Sequence, residues 1–162
     1  LLRAYAYILM LGPEGLRKVA EQSVLNTNYF QAKIRKVKGY HIPYSPETPR
    51  KHEIVISAKP LELDTGVSAD DIAKALLDYG LHAPTVYFPL IVSEALMIEF
   101  TETESLENIE KYLHALEEIA RKAYENPEAI KRKPENTSIG RLDLRKANLP
   151  ARFIPSYRVY RK

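Results

Sequence analysis

Residues 52–57 read His-Glu-Ile-Val-Ile-Ser, and this stretch decides the fold because it sets a run of β-branched residues inside a helix-rich chain. Val and Ile are enriched in strands, so the run predicts a buried β-strand. Residues 95–99, Ala-Leu-Met-Ile-Glu, predict a second strand. Between them, residues 85–89 are apolar and end in proline, which favours a short strand or a turn.

Upstream of the strands the sequence predicts two helical segments. Residues 1–11 are apolar and aromatic on nearly all sides, so we expect them to be buried by their own protein or by a larger body. Gly12-Pro13 breaks this segment. Residues 13–37 then keep apolar side chains at helical spacing, and Gly39 ends the helix.

Two further helices are predicted between and after the strands. Ser68 caps the first with Asp71 as its capping-box partner, and Gly80 stops it. Ser105 opens the second, whose apolar face consists of Leu106, Ile109, Leu113, Leu116 and Ala120. Helices beside a few strands, without strict βαβ alternation, indicate an α+β fold with long helices packed on one small, mostly antiparallel sheet.

The same patterns divide the chain into three segments. We expect residues 1–38 to be a helical lead-in, residues 39–126 to be a small α+β domain, and residues 127–162 to be a basic, extended arm. The end of the arm interleaves basic and aromatic residues: Arg152, Phe153, Tyr157, Arg158, Tyr160 and Arg161. This pattern suits contact with a partner subunit, with nucleic acid or with a membrane surface, and the acidic stretch elsewhere in the chain favours the partner subunit.

Composition excludes several classes of protein. The 162 residues include no cysteine, so disulfide scaffolds, thiolate zinc sites and cysteine nucleophiles are excluded. No apolar run is long enough to span a bilayer. Many Lys and Glu with only two Met suit a heat-adapted source. The first residues are neither an initiator methionine nor a secretory signal, so we expect a part of a longer, cytoplasmic protein.

Motifs for catalysis or metal binding are scarce. The glycines form no phosphate-binding loop, and no nucleophile elbow occurs. Glu99, Glu102 and Glu104 could supply an acid or base, but the last two precede a helix and suit its positive N-terminus. No metal site is predicted, because no second ligand stands at motif spacing from any of the four histidines: His41, His52, His82 and His114.

Several stretches, in the right order, resemble glycine dehydrogenase (decarboxylating), the P-protein family of the glycine cleavage system. Residues 79–85 (Tyr-Gly-Leu-His-Ala-Pro-Thr) and 95–105 (Ala-Leu-Met-Ile-Glu-Phe-Thr-Glu-Thr-Glu-Ser) are similar to its signature stretches. Residues 25–29 (Leu-Asn-Thr-Asn-Tyr) and 51–53 (Lys-His-Glu) also match, and residues 137–143 resemble the ending of the second subunit of the split form. Phe100 departs from the family, which usually has proline there.

The resemblance implies that the chain is the C-terminal small domain of a fold-type-I pyridoxal-phosphate (PLP) enzyme. In the family an oxidoreductase decarboxylates glycine and passes the aminomethyl group to the lipoyl arm of the H-protein. The domain with the Schiff-base lysine would lie upstream, so this chain alone is expected to bind no cofactor and to be inactive. The implied partners are the first subunit, the lipoylated H-protein and glycine, with no nucleic acid and no membrane.

The resemblance also implies site residues. His82 and Thr85 are expected near the mouth of the active-site cleft or at the subunit interface. Asn28 and His52 are further candidates, although each could simply tie a helix or strand end by hydrogen bonds. Two alternatives stay open: a free-standing α+β binding or assembly module, and the small domain of another PLP enzyme.

Overall fold

The computed structural model describes residues 1–149, which form helices packed on a three-stranded sheet. The central strand of the sheet pairs antiparallel with both of its neighbours, which confirms the α+β fold. The elements in chain order are α1 (Leu2–Ile34), β1 (Glu53–Ser57), α2 (Lys59–Thr65), α3 (Ala69–Asp78), β2 (Thr85–Val86), β3 (Ala95–Glu99), α4 (Leu106–Glu125), α5 (Pro127–Lys131) and α6 (Leu144–Ala147).

The sheet order is β1-β3-β2, so the last strand in the sequence lies in the middle. Side chains alternate between the two faces of a strand, and one face of the β1–β3 pair is buried throughout. Its residues join the side chains of α1, α3 and α4 in one hydrophobic core. The buried side chains of this face are Ile54, Ile56, Leu96 and Ile98.

The predicted helix boundaries agree with the structure at several positions. Gly12 has φ 61° and ψ −175°, which interrupts α1 where the sequence predicts a break. The capping box at the start of α3 is present, with the Ser68 side chain and the Asp71 side chain each bonding the other residue's backbone N–H. Gly80 has φ 69° just after α3 ends. Helix α1 ends at Ile34, slightly before the predicted position.

Three short helices were not predicted, α2, α5 and α6, and the last of them lies where an extended arm was expected. Helix α2 follows β1 directly, carries proline in its first turn and ends at Gly66 in the left-handed conformation. Helix α5 lies where an extended arm was expected, and that expectation is wrong for its residues. Asn126 caps α5, and Ile130 is buried in the core. The basic and aromatic end of the arm, Arg152 to Arg161, lies outside the described residues.

The chain beyond α5 is tied to α3 by two carboxylates. Asp78 accepts backbone N–H bonds from Glu135 at 2.9 Å and Asn136 at 2.7 Å, and Asp71 forms an ion pair with Arg141 at 2.5 Å. Burial raises the pKa of each carboxyl, but hydrogen-bond donors outweigh it and hold both pKa values below the usual range. For Asp71 these donors are the hydroxyl and N–H of Ser68 together with Arg141, and for Asp78 they are the N–H groups of Asn136 and Glu135 together with Lys133. Within residues 1–149, no helix is long and apolar enough to cross a membrane.

Candidate functional site

An open cleft of about 590 Å³ lies between the loop after α3, the end of β3 and the first turns of α4. The loop contributes one wall, and the other wall combines the end of the central strand with the helix. The residues that line the cleft are Gly80, Leu81, His82, Ala83, Pro84, Thr85, Met97, Ile98, Glu99, Phe100, Thr101, Glu104, Asn108, Lys111 and Tyr112.

Strand pairing holds the loop wall in place. Gly80 takes a positive φ that favours glycine, and this allows the chain to turn out of α3 at once. Two residues of β2 then pair with β3, Thr85 opposite Met97 and Val86 opposite Leu96. The loop between Gly80 and Thr85 is therefore anchored at both ends, by a helix and by a strand.

An aromatic cluster supports the cleft from below. The ring centroids of Phe100 and Phe30 are 4.7 Å apart, and those of Phe100 and Tyr112 are 5.9 Å apart with perpendicular planes. Burial raises the pKa of the Tyr112 hydroxyl, so this phenol is neutral at physiological pH. The backbone N–H of Phe100 donates to the His52 carbonyl at 3.1 Å, which links the cluster to the start of β1.

The turn that leads from β3 into α4 is fixed by a buried amide from α1. Asn26 Nδ2 donates to the carbonyl of Thr101 at 2.9 Å and to the carbonyl of Glu104 at 3.1 Å. Gln22 Nε2 in turn donates to Asn26 Oδ1 at 2.7 Å. Asn26 lies in the stretch 25–29 that resembles the family, but no sequence pattern marks it as a site residue.

The structure brings only two of the four candidate residues into the cleft wall, since His82 and Thr85 both line it and are exposed. Asn28 lies elsewhere and bonds the backbone of Arg50. His52 precedes β1, and its ring lies beside the carboxylates of Glu53 and Glu99, all three within 4.8 Å of one another.

Glu99 connects His52 with the cleft. It is one of the residues that line the cleft, and its carboxylate lies beside the His52 ring. The proximity of His52, Glu53 and Glu99 was not predicted from the sequence. No local pattern predicts it, since Glu53 and Glu99 become neighbours only through the pairing of β1 with β3.

Comparison with known proteins supports the resemblance found in the motifs. The family model for the C-terminal domain of glycine dehydrogenase matches residues 19–139. The chain belongs to this family. A crystal structure of glycine decarboxylase (P-protein) of the glycine cleavage system, in inhibitor-bound form, is similar with a TM-score of 0.59 and 26% identity. The match covers 70% of this chain and 24% of that one.

Relatives of known sequence match along almost the whole chain. A probable glycine dehydrogenase (decarboxylating) subunit 2 from Staphylothermus marinus is 58% identical over 160 residues, covering 99% of this chain and 31% of its own length. A relative of the same description from Aeropyrum pernix is 56% identical over 156 residues, covering 96% of this chain and 30% of its own length. The chain therefore spans less than a third of the length of these relatives.

The described residues do not fit PLP. The cofactor needs a lysine for a Schiff base and donors for a doubly charged phosphate. Among the described residues, the only lysine that lines the cleft is Lys111, which is exposed, and the same walls carry the carboxylates of Glu99 and Glu104. These carboxylates would repel a phosphate, so we assign no cofactor to the cleft formed by the described residues.

Proposed function

We propose that this chain is the C-terminal part of subunit 2 of a glycine dehydrogenase (decarboxylating). The observation that carries the proposal is the match with relatives of that description along 99% of the chain, of which the chain spans 31%. In the longer protein, PLP supplies the chemistry for loss of carbon dioxide from glycine and is held by residues outside this chain. The aminomethyl group then passes to the lipoyl arm of an H-protein, and the first subunit is the partner.

We assign this part of the protein the role of closing one side of the active-site cleft. The loop that carries His82 and Thr85 supports this role because it is anchored by α3 and β2 and lies within the family match. A wall fixed in this way excludes water from a reacting group without having to reorganise. We propose that both residues lie at the mouth of that cleft, and that Asn28 and His52 support it from outside.

The start of α1 supports the proposed lead-in, residues 1–38. Leu2 is 85% exposed and Met10 is 77% exposed, and such apolar side chains are normally covered by a neighbouring body. The small domain, residues 39–126, and the arm, residues 127–162, complete the proposed division. The same exposed side chains would also suit a free-standing binding module, which is the second candidate. The cytoplasmic location and the heat-adapted source remain predictions from the sequence.

A blot of source-cell extract with antibody against this chain separates the two candidates. Extract reduced with borohydride is tested alongside for a pyridoxyl label on the same band. We expect one labelled band about three times heavier than 18.5 kDa, since the chain spans 31% of its relatives. An unlabelled band at 18.5 kDa would favour the binding module.

The role of the loop is tested in the intact enzyme with its first subunit. We expect His82→Asn to lower the glycine-dependent exchange of bicarbonate at least about tenfold, because misplaced groups at a cleft cost that much or more. His114→Asn, an exposed histidine on α4, is the matched control and keeps full exchange. Equal rates in the two variants would contradict the role of His82. The purified chain alone is expected to show no exchange.

A further inference from the structure

Three potential metal ligands meet at one end of the sheet. His52 stands in the bend before β1, Glu53 begins β1 and Glu99 ends β3. One ring nitrogen and two carboxylate oxygens lie within 4.8 Å of one another. All three side chains are exposed, so an ion from solution has direct access to them.

The backbone beneath these side chains is fixed by the sheet. Glu53 and Glu99 are direct cross-strand partners, and the next pair along the ladder is Ile54 with Ile98, both buried. A slip of one residue would turn these isoleucines to solvent, so the register is strongly specified. The Phe100 N–H to His52 carbonyl bond extends the pairing by one step and fixes the backbone of the third ligand.

The electrostatics of this corner favour a cation. Like charges directly opposite each other on neighbouring strands destabilise a sheet. Within residues 1–149, neither Glu53 nor Glu99 forms an ion pair with a lysine or arginine. A divalent ion between the two carboxylates would convert their repulsion into shared attraction.

We propose that His52, Glu53 and Glu99 form a binding site for a first-row divalent transition ion such as Zn²⁺. One imidazole nitrogen with two carboxylate oxygens suits Zn²⁺ better than Mg²⁺ or Ca²⁺, which prefer oxygen ligands alone. Ligands about 2.0–2.2 Å from Zn²⁺ stand roughly 3–3.5 Å from one another. The three ligand atoms lie within 4.8 Å of one another, so binding of the ion requires the exposed side chains to draw closer together.

The proposed site offers fewer protein ligands than a tetrahedral ion binds. Three protein ligands leave at least one position of a tetrahedral ion open to water or to an anionic group. Because Glu99 also lines the cleft, the proposed site lies next to the cleft. The proposal concerns binding of the ion alone and does not depend on the proposed function.

The test uses the intact protein that contains this chain, stripped with EDTA and titrated with Zn²⁺ in a calorimeter. We expect Glu53→Gln, Glu99→Gln and His52→Asn each to weaken the affinity of one ion at least about tenfold. The matched control is the double variant His114→Asn with Glu117→Gln, an exposed histidine and glutamate on α4. It keeps the affinity, and circular dichroism checks the fold of every variant.

The decisive comparison is between the wild type and a triple variant in which His52, Glu53 and Glu99 are all replaced. Loss of one Zn²⁺ per chain in the triple variant, but not in the control, supports the site. The same number of ions bound with the same affinity by the wild type and the triple variant would overturn it. So would the absence of any binding to the wild type.

Discussion

The side-chain amide of Asn28 pairs with the backbone of Arg50 in both directions. The Arg50 N–H donates to Asn28 Oδ1 at 2.9 Å, and Asn28 Nδ2 donates to the Arg50 carbonyl at 2.7 Å. One side chain on α1 therefore satisfies both the backbone donor and the backbone acceptor of a residue in the segment before β1, as a neighbouring strand does in a sheet. The sequence left open whether Asn28 ties a helix or strand end or serves the cleft. The observed contact ties the segment before β1, and a role at the cleft stays a prediction.

Replacing Asn28 with alanine should lower the free energy of unfolding by about 1–3 kcal/mol, because two backbone groups of Arg50 lose their partner. Urea denaturation of the wild type and the variant measures the change. Asn148→Ala is the control. Asn148 is the exposed C-cap residue of α6, and its replacement should change the free energy of unfolding by less than about 0.5 kcal/mol. Equal midpoints for the two variants would contradict the assigned role.

Acid should loosen the segment after α5 through Asp78. The pKa of this carboxyl is depressed in the folded state by the N–H groups of Asn136 and Glu135 and by Lys133, which together outweigh the effect of burial. Its contribution to stability is therefore present above the ordinary pKa of 3.8 and is lost as the pH falls through the lower folded value. Proteolysis between residues 132 and 149 should rise over that range.

Asp78→Asn separates this effect from general acid unfolding. The neutral amide offers one acceptor oxygen in place of two, so cleavage after α5 should already be faster at pH 7 and should depend less on pH below 4 than in the wild type. Cleavage is followed by mass spectrometry. A variant with the wild-type pH profile would show that Asp78 does not control this segment.

Phe100→Pro restores the residue that the family usually has and should destabilise this protein. Proline removes the N–H that bonds the His52 carbonyl and leaves a void beside Phe30 and Tyr112. We expect a loss of about 3–5 kcal/mol, as for other large-to-small changes in a core. Phe100→Leu keeps the N–H and most of the volume, and should cost about 1–2 kcal/mol. Thermal unfolding compares the two, and equal losses would refute the account.

Glu99→Gln should stabilise the protein when metal is absent. In EDTA the substitution removes the repulsion from Glu53 on the opposite strand, a gain of about 0.2–1 kcal/mol. The gain should shrink at high salt, because both groups are exposed and screened. Melting temperatures at low and high ionic strength measure it, with Glu117→Gln, an exposed glutamate in the middle of α4, as the control. A melting temperature of Glu99→Gln below that of the wild type in EDTA would contradict the proposed repulsion between Glu53 and Glu99.

Local signals explain which elements were predictable. The β-branched run of β1 and the Ser68–Asp71 capping box each act within a few residues, and both were predicted correctly. Helices α2 and α5 span one or two turns and each carries proline in its first turn, so neither shows a full period of apolar residues. Packing of Leu61 and Ile130 into the core stabilises them, and this contact with distant elements is invisible in a short window.

The candidate site was predictable only in part. The loop of His82 and Thr85 was marked by its unusual sequence and by the family resemblance, and the structure places both in one cleft wall. The catalytic relevance of these residues remains a prediction. The meeting of His52 with Glu99 depends on strand register between distant segments, which periodicity does not specify.

The order of the strands affects how the chain folds during its synthesis on the ribosome. Strands β1 and β2 leave the exit tunnel before β3. They do not pair with each other, because each forms its hydrogen bonds with β3, which lies between them. Until residue 99 emerges, Ile54 and Ile56 have no sheet to join. The nascent chain therefore passes through a stage in which the β-branched stretch of β1 has no partner strand, and the arrival of one five-residue strand ends that stage.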